Sequence, residues 1–442
     1  MNVNEIKYKT YIQILKEELM PAMGCTEPIA LAYGAARARD ELGFLPDKVE
    51  VFVSYNIIKN VKSVVVPNTN GLKGIEAAIV AGIVAGISNK TLEVISEVTT
   101  EQKQQMRDFI KNVPIMISAL DGKEVFDIII ILHHEDDFVK LRIAQYHTNI
   151  VYIEKNGNCL FKAAVAEEAE EVAEIKENEV LKENQEESNL ADKNLLNLED
   201  IIDFANTCNL EDVKFILAPQ IKYNMAIAEE GLNNSYGANV GSTLLKFYGS
   251  DVRNRAIAKA AAGSDARMSG CEMPVIINSG SGNQGITVSV PVIEYANELK
   301  VSEDKLYRAL VISNLVAIHQ KAGIGRLSAY CGAVSAGCAA GCGIAYLYGG
   351  GFEEISHTLV NSVVIVSGII CDGAKPSCAG KIASSVEAGI LGYHMFMNGQ
   401  EFKYGDGIVN RGVEETIKNV GRLGKEGMKE TDKEIVKIML AE

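Results

Sequence analysis

"LSAYCGAVSAGCAAGCGIAYLYGGG", residues 327–351, carries no charged side chain and consists largely of Gly, Ala, Ser and Cys. A stretch of that length without a charge has to be buried, in lipid or in protein. Its side chains are too small to supply the transfer free energy that Leu, Ile and Phe give a membrane span, so buried core helices are expected here and at the uncharged 357–370. Small residues also let neighbouring backbones approach closely. From 198 onward the whole chain has this helical, Ala/Gly-rich character, interrupted by a loop, "INSGSGNQGITVSVP", at 277–291.

The earlier part reads differently. Residues 4–19 have helical spacing (Ile6, Tyr11, Ile14, Leu15, Leu19), and a second helix is expected from "CTEPIALAYGAARARDEL". From 48 the pattern turns strand-like in "VEVFVSYNI", "VKSVVV", "VPIMISAL", "VFDIIIILHH" and "VKLRIAQYHTNIVYIEK", with an Ala-rich helix at 75–87 between them. With 442 residues, two or three folding units are expected. The fold class is α+β. N-terminal helices (1–44) carrying Cys25 are expected to pack with the later helical domain, and an α+β domain with a mainly antiparallel sheet follows (45–162). After an acidic helix or linker (163–200) a mainly helical, Ala/Gly-rich domain is expected (201–442).

The formal charge of −15 argues against nucleic acid or an anionic membrane as partner. Most of it is local, since residues 167–200 hold 13 acids against 3 lysines. The N-terminal stretch alternates charge with apolar residues and lacks the apolar core of a signal peptide, so a cytoplasmic location is expected. In that compartment nine cysteines are thiolate ligands, nucleophiles or buried fillers rather than disulfides.

Cys159 and Cys208 sit in polar surroundings, while Cys271, Cys338 and Cys342 read as small core residues. Cys331 follows the turn-like "KAGIGRLSAY" and can stand at a helix start, where a thiolate is favoured. Cys371 and Cys378 lie in "ICDGAKPSC", a loop shaped by Gly373 and Pro376. Neither CxxC spacing nor a nearby His suggests tetrahedral zinc, and the spacing alone leaves cluster ligation and a buried role both open. Cys25, in "MGCTEPIAL", precedes Pro28 at the opening of a helix, where its pKa is expected to fall; base, nucleophile and inert cap are the readings.

Two loops offer donors for a carboxylate. "SGSGNQG" contributes backbone N–H groups with Ser281, Asn283 and Gln284, and "PNTNG" contributes Asn68, Thr69 and Asn70; plain turn chemistry is the other reading of both. Arg267 in "AGSDARM" and Lys321 are candidates for pairing a carboxylate or for structural ion pairs.

Taken together, "GCTEP", "PNTNG", "AGSDARM", "SGSGNQG", "YCGAVSAGC" and "ICDGAKPSC" resemble the L-cysteine desulfidase family, which is related to the α chain of iron–sulfur L-serine dehydratases. The resemblance implies a [4Fe–4S] cluster held by Cys331, Cys371 and Cys378 with one iron open, and Cys25 as the proton-transferring thiol. It also implies β-elimination of L-cysteine to sulfide, ammonia and pyruvate. The related dehydratases carry "CDP" where this chain has "CDG" at 371–373, and a Ser/His-rich segment in place of "GCTEP", which favours cysteine over serine. The partners expected are this small amino acid and, compatibly, a second copy of the chain in a homodimer. A serine dehydratase, a pyridoxal-phosphate lyase using Lys321, Lys375 or Lys381, and an iron–sulfur sensor are the rival readings.

Overall fold

The computed structural model describes residues 3–120, 122, 124–163, 191–325 and 327–440. The chain begins with α1 (Val3–Glu18), the short strand β1 (Pro21–Met23) and α2 (Thr26–Leu42). There follow β2 (Lys48–Ser54), α3 (Tyr55–Val61), α4 (Gly74–Ala85) and α5 (Thr100–Asn112), then β3 (Ile115–Leu120), β4 (Asp127–His134), β5 (Asp137–Ala144), β6 (Ile150–Lys155) and β7 (Asn158–Lys162). The second half comprises α6 (Leu198–Thr207), α7 (Glu211–Asn233), α8 (Val240–Tyr248), α9 (Val252–Met268), the strand β8 (Pro274–Ile276), α10 (Gly282–Leu299) and α11 (Glu303–Ile324). It ends with α12 (Gly332–Leu347), α13 (Phe352–Val366), α14 (Cys378–Met397), α15 (Val413–Arg422) and α16 (Lys429–Leu440). The α+β class is thus observed.

The sheet has the order β3-β2-β4-β5-β6-β7; only the β2–β3 pair is parallel. Its alternating apolar residues, among them Val51, Ile130 and Leu141 in one cross-strand row, bury one face. Helix α2 lies on that face, and Gly34 lets it settle against Ile130 and Ile143. On its other side α2 meets α4 at Gly82, where even a methyl group would come 2.1 Å from the Ala32 carbonyl oxygen. Such an approach fixes α2, and with it the position of Cys25. The adjoining segment pairs β1 with β8 in an antiparallel ribbon, Ala22 opposite Val275, and so ties this part of the chain to the helical half.

In the helical half α12 is central, packed by α10, α11, α13 and α14. Gly337 and Gly341 lie against the backbone of Ser385 and Gly389, the close approach its small residues foretell. The uncharged segments are therefore protein core, and among the described residues no helix is long and apolar enough to cross a membrane. The expected loop at 277–291 is mostly helix: α10 starts at Gly282 and runs through Pro291. Its Gly, Ser, Thr and Val residues have weak helix propensity, and burial against α9 and α12 overrides it. Of the acidic segment, 164–190 lies outside the described residues. Its end is structured, with Asn197 capping α6 and Asp200 paired to Lys7.

Helices α9 and α10 run antiparallel and are held at both ends. Near the start of α9, Arg255 and Lys259 grip the buried carboxylate of Glu294 at 2.6 and 2.7 Å. Burial alone would raise the Glu294 pKa, but the hydrogen bonds from Arg255 and Lys259 outweigh it and hold the carboxyl below its ordinary 4.5. A lowered folded-state pKa gives stability that is complete above the unfolded value and disappears as pH falls through the folded one. Glu294→Gln should therefore lower unfolding stability by about 1 kcal/mol near neutral pH. Urea unfolding of both proteins should show that difference shrinking as the pH falls from the unfolded carboxyl value toward the folded pKa and lost below it.

Candidate active site

The two cysteine-bearing segments are zipped together by backbone. Tyr330 and Ile370 form an antiparallel bridge, the Cys331 N–H donates to the Ile369 carbonyl (3.2 Å), and the Cys371 N–H donates to that of Ala329 (2.7 Å). This places the Cys331 and Cys371 side chains side by side. Cys331 is also the N-cap of α12, as its turn-like approach suggests. After Cys371 the loop turns at Gly373, whose φ of +95° suits only glycine and whose missing Cβ would lie 2.4 Å from the Lys59 carbonyl oxygen. Buried Lys59 in turn donates to the Cys371 carbonyl (3.4 Å) and pairs with Asp432. The loop ends at Cys378, the first residue of α14, whose sulfur accepts from the Lys375 N–H at 3.5 Å.

Cys331, Cys371 and Cys378 line one cavity of about 100 Å³, and Cys25, Arg267, Ser281, Asn283 and Gln284 share its wall. Four helices begin there: α2 at Cys25, α10 at Ser281, α12 at Cys331 and α14 at Cys378. Their unpaired N–H groups and dipoles favour negative charge in the space between them. Asn68, Thr69 and Asn70 are not part of this wall. The Asn68 amide donates to the Ile95 carbonyl, the Thr69 hydroxyl donates to that of Val66, and the Asn70 carbonyl accepts from Arg107. Asn68 and Asn70 both have φ of +59°, the turn chemistry that is the alternative reading of "PNTNG".

Several wall residues were not singled out as site residues in the sequence: Glu27, Lys59, Asn60, Tyr330 and His147. Glu27 sits inside the quoted "GCTEP", where it reads only as a first-turn acid. Asn60 and Lys59 lie at the end of α3, in a segment that carries strand-like patterning and no motif.

The electrostatics separate the thiols. Burial pushes the Cys25 thiol up to about 12, Arg267 opposing this and Glu27 and Cys378 adding to it. The lowering expected of a helix start is thus overcome: Cys25 packs among Val64, Met268, Ala374 and Cys378, with its sulfur 4.0 Å from that of Met268. Cys371 is held well below the ordinary thiol range, chiefly because it accepts a hydrogen bond from the Cys331 thiol, with Lys59 also favouring its anion. Cys331 is raised correspondingly as the donor of that bond. Burial raises both Cys378 and Glu27.

Polar groups in the wall are left without partners. Arg267 is buried, with Nη1 donating to Asn283 (3.1 Å), and its Nε has no acceptor among the described residues. Gln284 Oε1, Asn60 Oδ1 and the Tyr330 hydroxyl are likewise unpaired there. Unmet groups of this kind cost about 1–3 kcal/mol each when buried, and water or a ligand in the cavity would satisfy them. The cysteines are free, and among the described residues no three His, Cys, Asp or Glu side chains are gathered into a ready coordination shell. The donor chemistry nonetheless fits an iron–sulfur group: three soft thiols face one space ringed by helix starts, in a cavity with orphaned polar atoms.

The serine dehydratase alpha chain family matches residues 89–437, a span that includes all three of these cysteines and Arg267 but not Cys25 or Glu27. Full-length relatives cover the remainder. A UPF0597 protein of Desulfitobacterium hafniense is 61% identical over 433 residues, 98% of this chain and 97% of the relative. A UPF0597 protein of Lachnoclostridium phytofermentans is 51% identical over 433 residues, 98% of this chain and 100% of its own. A third, from Treponema denticola, is 44% identical over 445 residues, 100% of both chains. Matched over most of its length, the chain belongs to the serine dehydratase alpha chain family, whose chemistry is that of a lyase.

Proposed function

We propose that the protein is an iron–sulfur-dependent L-cysteine desulfidase, a carbon–sulfur lyase that converts L-cysteine and water to sulfide, ammonia and pyruvate. The observation that carries this reading is the meeting of Cys331, Cys371 and Cys378 with Cys25 and Arg267, whose Nε has no acceptor among the described residues, in one cavity. Cys331, Cys371 and Cys378 would hold a [4Fe–4S] cluster, which supplies Lewis-acid chemistry at an open iron to make sulfide a better leaving group. Arg267 Nε and the first turn of α10 bind the substrate carboxylate, which withdraws electron density from the α carbon. Cys25 rests as a thiol, so it first releases its proton to solvent before substrate fills the cavity; its Sγ, as thiolate, then takes the α proton, and the close packing around it keeps water away from the carbanionic centre. Elimination gives an enamine that leaves and hydrolyses to pyruvate and ammonia.

The family match also supports a second reading, an L-serine dehydratase with hydroxide as leaving group. Cys25 in "GCTEP" and Gly373 in "CDG" favour the thiol substrate, because the dehydratases differ at both places. Anaerobically reconstituted protein should contain about four irons and four acid-labile sulfides per chain. It should release sulfide and pyruvate from L-cysteine faster than pyruvate from L-serine; the reverse order would establish the dehydratase instead. Replacing Cys331, Cys371 or Cys378 singly by Ser should lower iron content and turnover together. Cys25→Ala should keep iron and sulfide at the parent level while turnover falls about 10²- to 10⁴-fold, the usual contribution of a proton-transfer group. Full turnover in that variant would remove Cys25 from the reaction.

A further inference from the structure

Two side chains of opposite charge line this cavity, and among the described residues neither has an ionic partner. Among those residues Arg267 donates to the Asn283 side-chain oxygen, and its Nε is orphaned. Glu27, in the first turn of α2, accepts from the Asn60 side-chain amide at 3.0 Å and has Thr26 Oγ1 3.2 Å from its other oxygen. The Thr26 hydroxyl makes its shorter bond elsewhere, donating to the Gly280 carbonyl at 2.7 Å. Each of the two charges influences the other, yet they form no ion pair. Both line the same cavity.

The neutral groups divide in the same sense. Asn60 is 94% buried (6% exposed), and with its amide N–H spent on Glu27 its Oδ1 acceptor is left unpaired in the wall beside that carboxylate. The same wall carries unmet donors, Arg267 Nε and the N–H groups that open α10. A cavity that offers both an acceptor set and a donor set is complementary to a zwitterion, not to a simple anion.

We infer that Glu27, with Asn60 Oδ1, is the ammonium-reading end of the site and makes it selective for a free α-amino acid over the corresponding carboxylic acid. The inference rests on the lyase reading above for its substrate class, and deepens it by assigning a residue to each end of the amino acid. The carboxylate goes to Arg267 and α10, and the ammonium to Glu27 and Asn60. The bound molecule is thereby held by its two charged ends, with the α carbon between them on the side of Cys25. Glu27 would touch substrate without exchanging a proton with carbon, so its loss should act on binding before turnover.

The test is equilibrium binding, which needs no reaction. L-2-Aminobutyrate matches cysteine in shape but has no thiol, and butyrate lacks only its ammonium. By calorimetry on the anaerobically reconstituted protein, L-2-aminobutyrate should bind at least about tenfold more tightly than butyrate, the scale of one charged hydrogen bond. Glu27→Gln should weaken L-2-aminobutyrate by about tenfold to a hundredfold while leaving butyrate within about twofold, and Glu27→Asp should recover part of the preference. Equal binding of the two ligands by the parent protein overturns the inference. So does a Glu27→Gln variant that weakens both alike, or one that unfolds at lower denaturant while its ligand preference is intact. Failure to turn over either L-cysteine or L-serine would sink the lyase reading but not this one, because the preference for the zwitterion is read without catalysis.

Discussion

Four helix starts converge on one small cavity, and most of the architecture serves to keep them there. Each brings N–H groups without intrahelical partners and the positive end of a dipole. Placed together around neutral side chains they would repel; around thiolates and a carboxylate they are mutually satisfied. The convergence therefore dictates what the cavity can hold, which is negative charge, and it also explains the small residues of the helical half. Helices can start this close together only if they can also pack this closely along their lengths, as α12 does through Gly337 and Gly341 against α14.

The same crowding has an energetic side. Burying Arg267 without a carboxylate, and Gln284, Asn60 and Tyr330 without full hydrogen bonding, is costly. The part of that cost that falls on the cavity wall is recovered when something fills the cavity. Cys25 shows the same tension. A helix start lowers a thiol's pKa, desolvation raises it, and in a pocket lined by Met268 and Val64 desolvation is the larger effect. The magnitude of burial, not the presence of a helix start, decides the resting protonation of this residue.

This is also where reading the sequence reached its limit. The α+β class, the buried nature of 327–351 and the helix start at Cys331 follow from periodicity, residue size and local turn residues, all of which are local properties. The pairing of Cys331 with Cys371 is not local: it depends on the Tyr330–Ile370 bridge between segments forty residues apart. Glu27 looked like an ordinary first-turn acid, and nothing in "NIIKNVK" marks Asn60 as its partner. "PNTNG" and "SGSGNQG" are both small, polar and turn-like, yet the side chains of the first are consumed in a turn while the second opens a helix into the cavity. Composition can identify a donor, but only the fold decides whether that donor is already used.

The cavity is composite, and that constrains how it can work. One side comes from residues 25–60 and the other from 267–382, so the site exists only where two distant parts of the chain are clamped. The clamps are specific: the β1–β8 ribbon just before Cys25, the Thr26 hydroxyl on the Gly280 carbonyl, and Lys59 spanning the Cys371 carbonyl and Asp432. Gly373 makes the last of these tight, since any side chain there would collide with α3. A substrate bridging Glu27 and Arg267 would add one more link across the same seam. Binding would then stiffen the joint on which thiol placement depends, coupling the fit of the amino acid to the geometry of the three cysteines without any separate moving part.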